Sequence, residues 1–110
     1  MIKLKDLMIL ERILLEIETK FKFDLDFNDA YKLHEYLIKV GKITSYAFLI
    51  QDEYSQKYDV DKLKEYHNKV FDSSIEFEDE KDIIKFIEKI QENIKNDELD
   101  SIILNIRYWY

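Results

Sequence analysis

Asp24, Asp26 and Asn28 stand two residues apart, and Glu35 follows them. Counted from Asp24, oxygen-bearing side chains fall at positions one, three, five and twelve. That is the donor spacing of an EF-hand calcium loop, where carboxylate and amide oxygens surround a hard cation. Position six of such a loop takes glycine for its sharp turn, and here it is Asp29. The spacing also has a plainer source. Phe21, Phe23, Leu25 and Phe27 fill the alternate positions, so the aspartates read as the wet side of a segment with period two.

His34 and His67 each lie in the middle of an apolar arc. An imidazole there has the chemistry of a general base or a metal ligand. No HExxH pattern and no Cys/His cluster accompanies either one, and there is no cysteine at all. The favoured reading is two core or boundary histidines, each hydrogen-bonded to a carbonyl or a tyrosine. No motif for a nucleophile, a cofactor or a metal emerges. The chain is expected to act without catalysis, cofactor or metal.

Carboxylates crowd together at Glu76, Glu78, Asp79, Glu80 and Asp82, with smaller groups at Asp24, Asp26 and Asp29 and at Asp52 and Glu53. Taken singly, each group reads as a solvated face or a helix start, where acids complement the dipole. Taken with a formal charge of −7, they describe an acidic surface. Such a surface repels nucleic acid and speeds association with basic proteins. Tyrosine supplies the second half of that chemistry, with eight copies in the chain. Tyr36 and Tyr66 fall at the edges of their apolar stripes and are expected to be exposed. Tyr108 and Trp109 form a second anchor of the type that dominates protein interfaces.

These residues need elements to hold them. With 46% of residues apolar and 15% aromatic, the chain is too hydrophobic for disorder, and 110 residues fit one domain, 1–110. A first helix is expected from Asp6 to Lys20, with Leu10, Ile13, Leu14, Ile17 and Phe21 as its main stripe. Met8 and Leu15 give it a second apolar side, suited to contact with another copy of the chain. Asn28 is expected to cap a second helix, Asp29 to Val40, with Ala30, Leu33, Leu37 and Val40 in line. Gly41, the only glycine, stands where a helix end wants a left-handed residue. A third helix then runs from Thr44 to Tyr58. Residues 43–50 also suit a buried strand, but the stripe Ile43, Ala47, Ile50, Tyr54 and Tyr58 favours helix.

The helix–Gly–helix pattern resembles a helix-turn-helix unit, but its candidate recognition helix carries Asp52 and Glu53 and a single lysine, the wrong charge for a phosphate-lined groove. A further helix starts at Asp59 or Asp61 with Val60, Leu63, His67, Val70 and Phe71 on one side. Another starts at Asp79 with Ile83, Phe86, Ile87, Ile90 and Ile94, and a last one at Asp97 with Leu99, Ile102, Ile103, Ile106 and Tyr110. Residues 21–27 and 74–78 alternate and are the best available partners for a small two-stranded β ribbon. The expected fold is therefore mainly α, a compact single-domain bundle of five to six helices with that ribbon as an option.

No apolar run approaches the ~20 residues of a membrane span, and no signal peptide is recognisable, so a cytoplasmic protein is expected. Size, acidity and tyrosine content point to a non-enzymatic protein-binding module. The expected partner is a basic protein such as a nuclease, with no direct contact to nucleic acid or membrane. In character, though in no shared motif, the chain is similar to the acidic immunity proteins of nuclease toxins. An antitoxin or a phage anti-defence protein would have the same character. The alternative is a phage or mobile-element assembly protein that acts through homo-oligomerisation.

Overall fold

The computed structural model describes residues 4–55, 57–71, 79–93 and 97–109, with side chains of the last two segments given for 83–92 and 98–108. Among them are five α-helices: α1 (Leu4–Phe21), α2 (Phe27–Leu49), α3 (Val60–Val70), α4 (Asp79–Asn93) and α5 (Asp97–Trp109). The described residues contain no strand, so the fold is all-α.

α1 carries the widest buried arc, with Leu7, Leu10, Ile13, Leu14, Ile17 and Phe21 all inside. It packs antiparallel to α2: Glu11 reaches Gly41, and Glu18 reaches His34. Two apolar clusters result. The larger joins Ile13, Leu14 and Ile17 of α1 to Leu33 and Val40 of α2, Ile83 and Ile90 of α4 and Leu99 of α5. The smaller joins Leu7, Ile43, Ala47 and Leu63, at the other end of α1. Phe71, half-buried just after α3, packs against both.

The ribbon expected over 21–27 does not form. α1 runs to Phe21, Lys22–Asp24 form a short 3-10 turn, and α2 begins at Phe27. The cause is a cap at Asp26, two residues earlier than the expected Asn28. Its carboxylate accepts the N–H of Asp29 at 2.8 Å, and its carbonyl accepts that of Ala30 at 2.9 Å. Residues 74–78, the other half of the ribbon, lie outside the described residues.

The second correction concerns Gly41. It does not end a helix; α2 is one helix of 23 residues running straight through it. The position does not demand glycine, since a Cβ would lie 3.6 Å from the Glu11 side chain of the neighbouring helix, an ordinary van der Waals distance. Thr44, expected at the start of a new helix, is buried and donates its hydroxyl to the Val40 carbonyl one turn back, at 2.9 Å. α2 ends at Leu49 without glycine. The described residues from 50 to 58 are turns and irregular chain rather than helix, because Asp52 folds the chain back: its carboxylate accepts the N–H groups of Tyr54 and Ser55, at 2.8 and 3.0 Å. These two bonds hold the Asp52 carboxyl below its ordinary pKa. The return brings Tyr58 back to α1, where its hydroxyl accepts the N–H of Leu4 at 3.0 Å.

A helical Gly41 costs the chain stability that a C-terminal glycine would not. Gly41→Ala is expected to raise the unfolding free energy by about 1 kcal/mol, read as a higher urea midpoint at unchanged slope. A lower midpoint would mean that the left-handed reading of this residue was right.

Candidate functional site

The residues singled out by sequence fall in three places. The first is the start of α2. Asp26 is consumed as the helix cap, and Asn28 and Glu35 sit within the helix itself, so the calcium-loop spacing does not correspond to a loop. Among the described residues no three His, Asp or Glu side chains come together as a metal site would require. Asp29 is buried and takes the Lys89 ammonium at 3.5 Å, which ties α4 to α2.

The second group is spread along α2 and α3. Tyr36 is half-buried, not exposed, with its ring edge-on to Phe86 at 5.6 Å and the Lys32 ammonium over it. Tyr66 is also half-buried and stacks on Tyr46 at 4.2 Å. Both rings therefore serve the packing of their helices and present only an edge to solvent. His34 is exposed, with Nδ1 3.2 Å from the Glu18 carboxylate. His67 is fully buried and lies against the Phe71 ring at 4.7 Å. Removal from water pushes its pKa below the ordinary value, and the neighbouring Asn68 amide opposes this in part.

The third place is one end of the α4–α5 hairpin. Gln91 donates to the Asp100 carboxylate at 3.1 Å, which sets the two helices antiparallel. Ile84 and Arg107 accordingly line one cavity of about 480 Å³, closed on its other side by Ile9 and Ile13 of α1. With this register, the first turn of α4, which carries Asp79, Glu80 and Asp82, lies at the same end as the last turn of α5. Tyr108 is 81% exposed there, and Leu104 one turn earlier is exposed too. The side chains of Asp79, Glu80, Asp82 and Trp109 lie outside the described residues, as do Glu76 and Glu78 entirely.

Sequence reasoning missed one surface. The outer face of α2 carries Phe27, Tyr31, Ile38 and Leu49 in solvent, and Phe23 on the preceding turn is fully exposed. Phe23 and Phe27 were expected on the dry side of a strand. The signal that finds them is Asp26, whose capping position turns the following residues into a helix whose first turn faces outward.

Comparison with protein-family models, with characterised proteins and with solved structures finds no match. None of the helices among the described residues is long and apolar enough to cross a membrane.

The buried imidazole makes a prediction about pH. The unfolded chain binds a proton at His67 below about pH 6.5, while the folded chain resists it. Its contribution to stability is complete above that pH and is lost as pH falls through the window below it. Urea midpoints of the wild type should fall more steeply between about pH 6.5 and 5 than those of His67→Leu. Parallel curves for the two proteins would contradict the buried, neutral state.

Proposed function

We propose that the chain is a non-enzymatic, acidic protein-binding module that inhibits a basic, nucleic-acid-acting enzyme. The type is that of an immunity protein, an antitoxin or a phage anti-defence protein. What supports the reading is the convergence at one end of the α4–α5 hairpin. The acidic first turn of α4 and the exposed Leu104–Tyr108 edge of α5 share that end. Negative charge beside an exposed phenol suits a surface that receives Lys and Arg, the side chains with which an enzyme grips phosphate. The mechanism is occlusion. Glu76, Glu78, Asp79, Glu80 and Asp82 take the place of backbone phosphates, and Tyr108 and Trp109 supply apolar contact.

The net charge of −7 adds long-range attraction to such a target, which salt screens beyond a Debye length of about 8 Å at physiological ionic strength. The second reading, an assembly protein that works by self-association, draws on a different observation, the exposed face of α2.

A tagged copy of the chain should retain a basic nuclease or other nucleic-acid-acting protein from its source cell at low salt and release it at high salt. With that partner in hand, joint charge reversal at Glu78→Lys and Asp79→Lys should weaken binding chiefly through the association rate. Tyr108→Ala should cost about 2 kcal/mol if the ring is an anchor. Unchanged binding after the charge reversal would remove the acidic segment from the interface.

A further inference from the structure

α2 leaves a row of apolar side chains in water: Phe27 (84% exposed), Tyr31 (59%), Ile38 (45%) and Leu49 (80%). At 100° per residue these four positions fall within about 40° of one another, a single narrow stripe along about 33 Å of helix. The fold does not cover it. α4 docks on α2 through Tyr36 and Asp29, each nine residues and so half a turn from a stripe residue, Phe27 and Ile38 respectively. α1 packs along the edge marked by His34 and Gly41, where Leu15, between Glu11 and Glu18 on the same α1 face, is left exposed beside the stripe. A row of this size on the solvent side of a helix marks a contact surface.

The arrangement of the row says what fits it. Ile38 is its centre. Phe27 and Leu49 lie eleven residues to either side, and Tyr31 and Ser45 lie seven to either side. A stripe with this symmetry is complementary to its own reverse. When a second copy of α2 lies antiparallel across it, Ile38 meets Ile38, Phe27 meets Leu49, and Tyr31 meets the small Ser45. The flanking charges obey the same rule. Glu35 and Lys42 sit on one flank of the stripe, three and four residues from Ile38 on opposite sides. A two-fold axis through Ile38 brings each Glu35 beside the Lys42 of the other copy, twice over. A parallel pair would instead place the two copies of Glu35, and of Lys42, on opposite flanks of the seam, where this pairing is lost. Self-complementarity under a two-fold axis is the condition for an isologous dimer.

We infer that the outer face of α2 is the interface of a two-fold homodimer, its helices antiparallel and centred on Ile38. This goes beyond the target-binding reading and stands apart from it. The acidic end of the α4–α5 hairpin belongs to the far side of α2, so the dimer carries that end twice. The contact is apolar at its centre and joins two chains of the same charge, so salt that strips a basic target does not dissolve it.

Sedimentation of the purified chain tests the association, and cysteine cross-linking tests its geometry, the chain having no cysteine of its own. The wild type should sediment at twice its 13.5 kDa mass at low and high salt alike. Ile38→Glu should weaken dimerisation by more than about tenfold, because two carboxylates would meet at the axis. It should leave the helical circular dichroism unchanged, with the melting temperature falling only to the concentration-independent value of the isolated protomer. Under mild oxidation Ile38→Cys should form a disulfide dimer. Phe27→Cys and Leu49→Cys should cross-link when mixed and not when each is alone.

A wild type that stays monomeric at millimolar concentration overturns the inference. So does a folded Ile38→Glu dimer of wild-type affinity, or faster cross-linking of Phe27→Cys to itself than to Leu49→Cys. A monomer that loses its target when Ile38 is replaced would assign the stripe to that target and equally overturn the dimer. A dimer without any basic partner would leave the inference standing and count against the inhibitor reading alone.

Discussion

Everything in this molecule hangs on covering α1. Six of its residues are buried, spread over about a third of its circumference, and no single neighbour can shield so wide an arc. Each Leu or Ile moved out of water contributes on the order of 1.5–3 kcal/mol, set against the entropy of ordering the chain. The fold is the arrangement that covers this arc. α2 lies along its length, α5 packs on it from the far end of the sequence, and α3 closes the cluster around Leu7 through Leu63. α4 fills the remaining side through Ile83 and Ile90 and is fastened to α2 by the Asp29–Lys89 pair. That pair, with Lys89 largely in water, sets direction more than it adds stability.

Helix spacing carried most of this in the sequence. Leu10, Ile13, Leu14 and Ile17 on α1, Ile83, Phe86, Ile87 and Ile90 on α4, and Leu99, Ile103 and Ile106 on α5 are buried as their periodicity requires. Two local signals pointed the wrong way because each has two physical meanings. A lone glycine marks a helix end when its backbone is left-handed, and it can also sit inside a helix at a cost in stability. The stripe Leu33, Leu37, Val40, Thr44 and Ala47 keeps its phase across Gly41, and phase was the better witness. Alternating phenylalanines suit a strand, but seven residues with no described partner strand gain less than two helices joined by a capped turn. Burial of Tyr36 and Tyr66 could not be read from one helix at a time, because it depends on Phe86 and Tyr46 arriving from elsewhere.

The surface divides into unlike regions. The α4–α5 end combines an acidic helix start with an exposed phenol, and the outer face of α2 is apolar with one balanced pair of charges. Their physical behaviour differs accordingly: the first acts at a distance and answers to ionic strength, while the second acts only on contact. Two cations, Lys32 over the Tyr36 and Phe86 rings and Lys39 over Phe71, lie against aromatic residues. They stand over rings packed in the core and keep their charge, and the excess of 24 acidic over 17 basic residues sets the sign of the field.

The contact between α1 and α5 also bears on how the chain is made. α1 and α2 are neighbours in sequence and can pair as soon as both have left the ribosome, at low cost in loop entropy. The strip of α1 reserved for Leu99, Ile103 and Ile106 has no such early cover. During synthesis it stays bare until the fifth helix emerges, and a nascent chain stopped before that point presents a sticky, half-built core. Chaperone holding during translation, and rapid removal of prematurely terminated copies, follow from placing one of the first helix's partners so late in the chain.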